Sequence, residues 1–199
     1  MNKEGVLPPP YFLIDTMIKF TELRVQKGRL TIVAEVREIE DYYDNVYIDK
    51  IIIDSQDTFN SSGPSANPIY SVTVDGNQKK FSITLSPTQL GIESIENTMF
   101  FVYAKAKGTP APGTPCGFDD EYEVGVTFSL CPIYNATMGY VKQVNNTCEI
   151  PKDFVNMILQ FKAIQYSIDS GHFTQAIAYY NKFYKNLSVN THSTCGCHG

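Results

Sequence analysis

At 199 residues and 43% hydrophobic positions, the chain has material for one ordinary domain, or one domain and a small appendage. Charged residues make up 19% and the formal net charge is −5, which excludes a basic tract for gripping a nucleic-acid backbone. The 13 tyrosines and 12 phenylalanines suit both a β-rich core and a surface that meets other subunits, because Tyr covers apolar area and keeps a hydroxyl for a polar neighbour.

The first elements are set by proline. "MNKEGVLPPPYF" is broken at Pro8, Pro9 and Pro10 and closely followed by Asp15, so it does not read as a signal peptide. No apolar run approaches the ~18 residues of a membrane helix. Residues 1–19 are expected to form a stiff, extended Pro-rich arm and lead-in.

From Phe20 the period becomes two, and residues 20–131 read as an antiparallel β domain. "FTELRVQKGRLTIVAEVREIE" predicts two strands around Lys27-Gly28, with Leu30, Ile32, Ala34 and Val36 on one face. "NVYIDKIIIDS" continues the pattern, and residues 57–68 carry no apolar period and read as a loop. "IYSVTVDGNQKKFSITLS" predicts a hairpin turning at Asp75-Gly76-Asn77, with Phe81, Ile83 and Leu85 as its buried stripe. "NTMFFVYAKAKG" and "YEVGVTFSLC" read as partners across a Gly/Pro-rich connection, the second placing Val124, Val126, Phe128 and Leu130 on one face. The expected fold is mainly β: an antiparallel β-sandwich or partly closed barrel with a C-terminal α-hairpin. Each sheet is expected to bury one face and leave the other polar.

Residues 132–150 read as a connector with one short helix. Pro151 then suits a first helical turn and Asp153 the helix dipole. Phe154, Ile158, Phe161 and Gln165 follow one stripe, broadened by Val155, Leu159 and Ile168. Gly171 permits a turn, and Ala176, Tyr180, Phe183 and Leu187 carry a second helix, giving an α-hairpin over 151–187. Such a pair must bury its apolar face against the β body or another subunit.

Residues 188–199 end in "THSTCGCHG". His192, Cys195, Cys197 and His198 supply the thiolate and imidazole types that zinc prefers. Their crowding in one short peptide makes a good tetrahedron depend on a further ligand such as Cys131 or Cys148, or on groups from a neighbouring subunit, so the tail reads first as a structural or interface element, with zinc and then a disulfide or redox role as the alternatives. The five cysteines are an odd number, against a complete disulfide framework, and a reducing cytosol is expected. A nucleophilic Cys116 would need His172 brought to it by the fold. Asp119, Asp120 and Glu121, and the looser Asp41, Asp44 and Asp49, read as hydrated loop charge rather than a cation site. "GTPAPGTPCG" lacks the Lys-Ser/Thr ending of a phosphate loop. No catalytic residue and no cofactor is assigned; the alternative to an assembly protein is a small metal- or ligand-binding domain using the C-terminal cluster.

The succession of "FTELRVQKGRLTIVAEV", the later strands and "FKAIQYSIDSGHFTQAIAYYNKFY", over roughly residues 15–187, resembles small virion proteins of tailed bacteriophages. It is most similar to neck or tail-ring proteins of the crAss-like group. That resemblance implies a non-enzymatic structural protein in a neck or tail ring around the DNA channel. Its partners would be copies of itself and neighbouring virion proteins, with DNA passing non-specifically and no membrane involved. It implies a virion protein assembled in the host cytoplasm, acting in head–tail connection and genome ejection.

Overall fold

A computed structural model of the protein describes residues 18–37, 43–112 and 121–188. Strands β1 (Ile18–Gln26) and β2 (Arg29–Val36) form the expected hairpin, closing on Gln26 opposite Arg29. Lys27 (φ 51) and Gly28 (φ 65) are both left-handed, the pair that a two-residue turn needs to match strand twist. β5 (Lys80–Leu85) pairs with the other edge of β2, giving a three-stranded sheet in the order β1-β2-β5.

The second sheet runs β4 (Tyr70–Thr73), β3 (Tyr43–Ser55), β6 (Phe100–Pro110), β7 (Glu121–Thr127), all antiparallel. The two sheets face one another across a core built from Leu30, Ile32 and Ala34 on one side and Ile51, Ile53, Val102 and Ala104 on the other. Leu85, Leu90 and Ile95 close one margin. At Gly125 there is no room for a side chain: a Cβ would lie 2.4 Å from Leu23 Cδ2 and 3.0 Å from Phe20. The architecture is the mainly β, two-sheet fold expected; the sheets do not close into a barrel.

Three expectations need correction. The segment 70–85 is not a hairpin. β4 pairs with β3 and β5 with β2, so the chain crosses from one sheet to the other. Gly76 (φ 79) and Asn77 (φ 50) do turn it, but the backbone then stitches both sheets, Ile48 N–H donating to Gln78 O and Val36 N–H to Lys79 O. Phe81, Ile83 and Leu85 still face the core, because a change of partner leaves the two-residue period untouched.

Second, the β3–β6 sheet is buried on both faces. The whole of Ile51–Ser55 and of Met99–Ala104 is buried. A third layer of helices covers the outer face, which explains the unbroken apolar run "MFFVYA". Third, the connector holds a full helix, α2 (Cys131–Thr147, 17 residues), after the four-residue α1 (Pro87–Leu90).

Helices α3 (Lys152–Asp169) and α4 (Phe173–Ser188) follow, with Pro151 as N-cap of α3. Gly171 (φ 70) makes the turn between them, and His172 N–H donates to Ser167 O. Ala176, Tyr180, Phe183 and Leu187 are buried as the spacing predicts. On α3 the buried residues are Met157, Ile164 and Ser167, while Val155 and Leu159 point to solvent.

Candidate interaction surface

The helical layer is held to the β body by aromatic side chains. Phe59, from the loop after β3, stacks on Phe101 of β6 with centroids 4.0 Å apart. Phe173 meets both rings edge-on at 5.9 and 5.8 Å. Phe128 meets Phe161 and Tyr180 in the same manner. Below them, buried Asp54 fastens the loop: Ser65 N–H donates to Oδ2 at 3.0 Å and Ser65 Oγ to Oδ1 at 2.9 Å. The Tyr103 hydroxyl donates to Gly63 O at 3.3 Å, and burial with the nearby Asp54 charge pushes its pKa up to about 12. The segment read only as a loop is therefore part of the third layer, fixed by Phe59, the Asp54 carboxylate and the Tyr103 hydroxyl.

Tyr184 reaches across the layer and donates to Glu96 O. Burial raises its pKa to about 12, against a lowering by the neighbouring Tyr180 hydroxyl. Tyr180 is raised further, chiefly by burial. Among the described residues its hydroxyl has no partner in hydrogen-bond geometry, and the two tyrosine rings lie 4.5 Å apart.

The outward side of this layer is unusually apolar. Along α2, Leu130 (57% exposed), Tyr134 (60%), Met138 (41%) and Val141 (43%) recur at helical spacing. They form a stripe beside the one that buries Ile133, Ala136 and Tyr140. α2 holds a single charged residue, Lys142. On α3, Val155, Leu159 and Tyr166 repeat the feature. Four of these positions were within reach of sequence reasoning, since 130, 134, 138 and 141 share a helix face. Pro132, Gly139 and the Asn-rich end of the segment hid the helix itself.

The residues singled out for chemistry are not brought together among the described residues. His192, Cys195, Cys197 and His198 lie outside them, as do Cys116, Asp41, Asp119 and Asp120. Cys131 is disulfide-bonded and so offers no thiolate to a metal, while Cys148 is a free, exposed thiol. His172 is exposed at the α3–α4 turn. Asp49 is neutralised by Lys107 at 3.1 Å and Lys105 at 3.8 Å, and Lys105 also lies 5.7 Å from the centre of the Tyr122 ring. No group of three or more His, Cys, Asp or Glu side chains is placed to hold a metal among the described residues. No helix there is long and apolar enough to cross a membrane.

Comparison with known proteins gives this surface its context. A family model described as Crassvirus tail hub protein A matches residues 18–198. The chain belongs to that family. It is 38% identical over 216 aligned residues to "Tail hub protein A" of Bacteroides phage crAss001, an alignment covering 90% of this chain and 99% of the relative. The tail hub family match spans the sandwich, the helical layer and nearly all of the cysteine-bearing tail sequence. This member is thus a structural tail protein of a crAss-like phage, as the resemblance to phage virion proteins implied.

Proposed function

We propose that the protein is a non-enzymatic subunit of a ring in the phage tail, closed by copies of itself around the channel through which DNA leaves. The observation that carries this reading is the exposed apolar stripe of α2 on a helix with one charge, set in a tail hub family member. A solvent-facing helix of 17 residues ordinarily carries several charges; one with a single charge is suited to contact with another subunit.

In this reading the doubly covered β3–β6 sheet sets the spacing of subunits, because it is buried on both faces. The Pro-rich arm, the 109–121 connection and the helical end clasp neighbours. The net charge of −5 keeps a DNA passage from adhering to its wall. The protein acts in the assembled virion, after assembly in the host cytoplasm, beside other virion proteins. The tail cysteines and histidines serve the interface, without a bound cofactor.

Native mass spectrometry of the untagged protein tests this. A closed oligomer without metal is the expected result. A monomer carrying one zinc ion would replace the ring reading with a metal-binding one centred on His192, Cys195, Cys197 and His198.

A further inference from the structure

The α2 stripe needs an occupant, and the sequence carries one of matching length and character. We infer that the Pro-rich arm, residues 1–17, of one copy docks along Leu130, Tyr134, Met138 and Val141 of a neighbouring copy; this rests on the ring reading above. From Leu130 to Val141 the helix rises about 17 Å. Six residues of any polyproline helix span about 19 Å, the length of a segment beginning at Pro8 that could lie along the stripe. The arm has no charged residue between Glu4 and Asp15, and that interval contains Val6, Leu7, three prolines, Tyr11, Phe12, Leu13 and Ile14. An uncharged apolar segment therefore meets an uncharged apolar stripe.

Proline-rich segments dock on exposed aromatic side chains because their backbone loses little entropy on binding. Tyr134 supplies such a ring, 60% exposed at the middle of the stripe. Position favours a neighbour's arm over the chain's own. Val25 bridges to Ser129, so the stripe starts beside the far end of β1 from Ile18. That end is about 27 Å from where the arm leaves the body. Docking in the same chain would have to carry the arm back along β1 from Ile18 to reach the start of the stripe.

The test uses the full chain, a chain lacking residues 1–17, and Tyr134→Asp, with circular dichroism confirming that each folds. A fluorescent peptide of residues 1–17 is titrated into the arm-less chain, and native mass spectra are recorded for each protein and for mixtures. The expected result is saturable peptide binding that Tyr134→Asp weakens at least about tenfold. The full chain assembles, each variant alone stays monomeric, and the two variants mixed stop at a 1:1 heterodimer, because only one arm and one stripe remain to pair.

Equal peptide binding with and without Tyr134→Asp would overturn the stripe as receptor. Assembly of the arm-less chain that Tyr134→Asp abolishes would give the stripe to a different partner surface. A full chain that assembles while the peptide fails to bind sinks the arm and leaves the ring. Peptide binding with a full chain that remains monomeric, its arm crosslinked to its own α2, sinks the ring and the neighbour together.

Discussion

Tyr180 and Tyr184 sit one turn apart on α4 and are equally part of the third layer, yet among the described residues Tyr184 has its hydroxyl bonded, to Glu96 O, and Tyr180 does not. Removing the bonded hydroxyl leaves a carbonyl without its donor, so Tyr184→Phe is expected to cost about 1 kcal/mol. Removing the unbonded one relieves a buried polar group, so Tyr180→Phe is expected to be neutral or stabilising by up to about 1 kcal/mol. Urea unfolding of the two variants measures both; a larger loss for Tyr180→Phe would contradict the account. The same residues give the fold an alkaline limit. Tyr103 and Tyr184 are raised from 10.0 to about 12, and burial is the main cause for each. A phenol with a raised folded pKa binds its proton more tightly in the folded state. Its contribution is complete below pH 10 and is lost as pH rises through about 12. Unfolding midpoints should therefore be flat approaching pH 10 and fall above it.

At the scale of elements, the loop between β3 and β4 shows how few residues fix a long connection. Asp54→Ala removes the acceptor of both Ser65 bonds from a fully buried site. The expected cost is about 2–3 kcal/mol, with faster proteolytic cutting within residues 57–68 while the strands stay resistant. Equal cutting rates in the variant and the parent would mean that Phe59 and the Tyr103 hydroxyl hold the loop without Asp54. The sequence showed this segment as a loop and nothing more, because Asp54 and Ser65 become partners only when β3 and β6 have placed the outer face. Legibility elsewhere follows the same division. The β1–β2 hairpin was readable because its turn and partner are local. The α4 stripe was readable because helical periodicity is local. The β4–β5 hairpin was misread because turn residues report a change of direction but not which strand lies beyond it. On α3, Val155 and Leu159 read in the sequence as broadening the apolar stripe. They face out because the helix already buries Met157 and Ile164 on its other side. The candidate metal residues lie outside the described residues, and no local pattern decides whether a neighbour meets them.

At the scale of the molecule, one central pair of strands serves two apolar cores, the sandwich interior and the interface with the helices. That arrangement makes the body a single mechanical block and leaves the outer faces of α2 and α3 as its apolar exterior. The sequence foretold a helix pair that must bury its face against the body or a partner, and the structure divides the answer. Inward residues meet the body, and outward ones remain available to a partner.

The crossing of the chain between sheets has a consequence for synthesis. β2 receives its second partner only when β5 appears, as Thr31 and Thr84 are 53 residues apart in sequence. On a ribosome adding roughly 5–20 residues per second, the first hairpin waits about 3–10 s with one side of β2 unpaired. A waiting strand with free N–H and C=O groups is a template for another nascent chain. Those seconds are a window in which two nascent copies of this chain can pair with one another instead of each with itself.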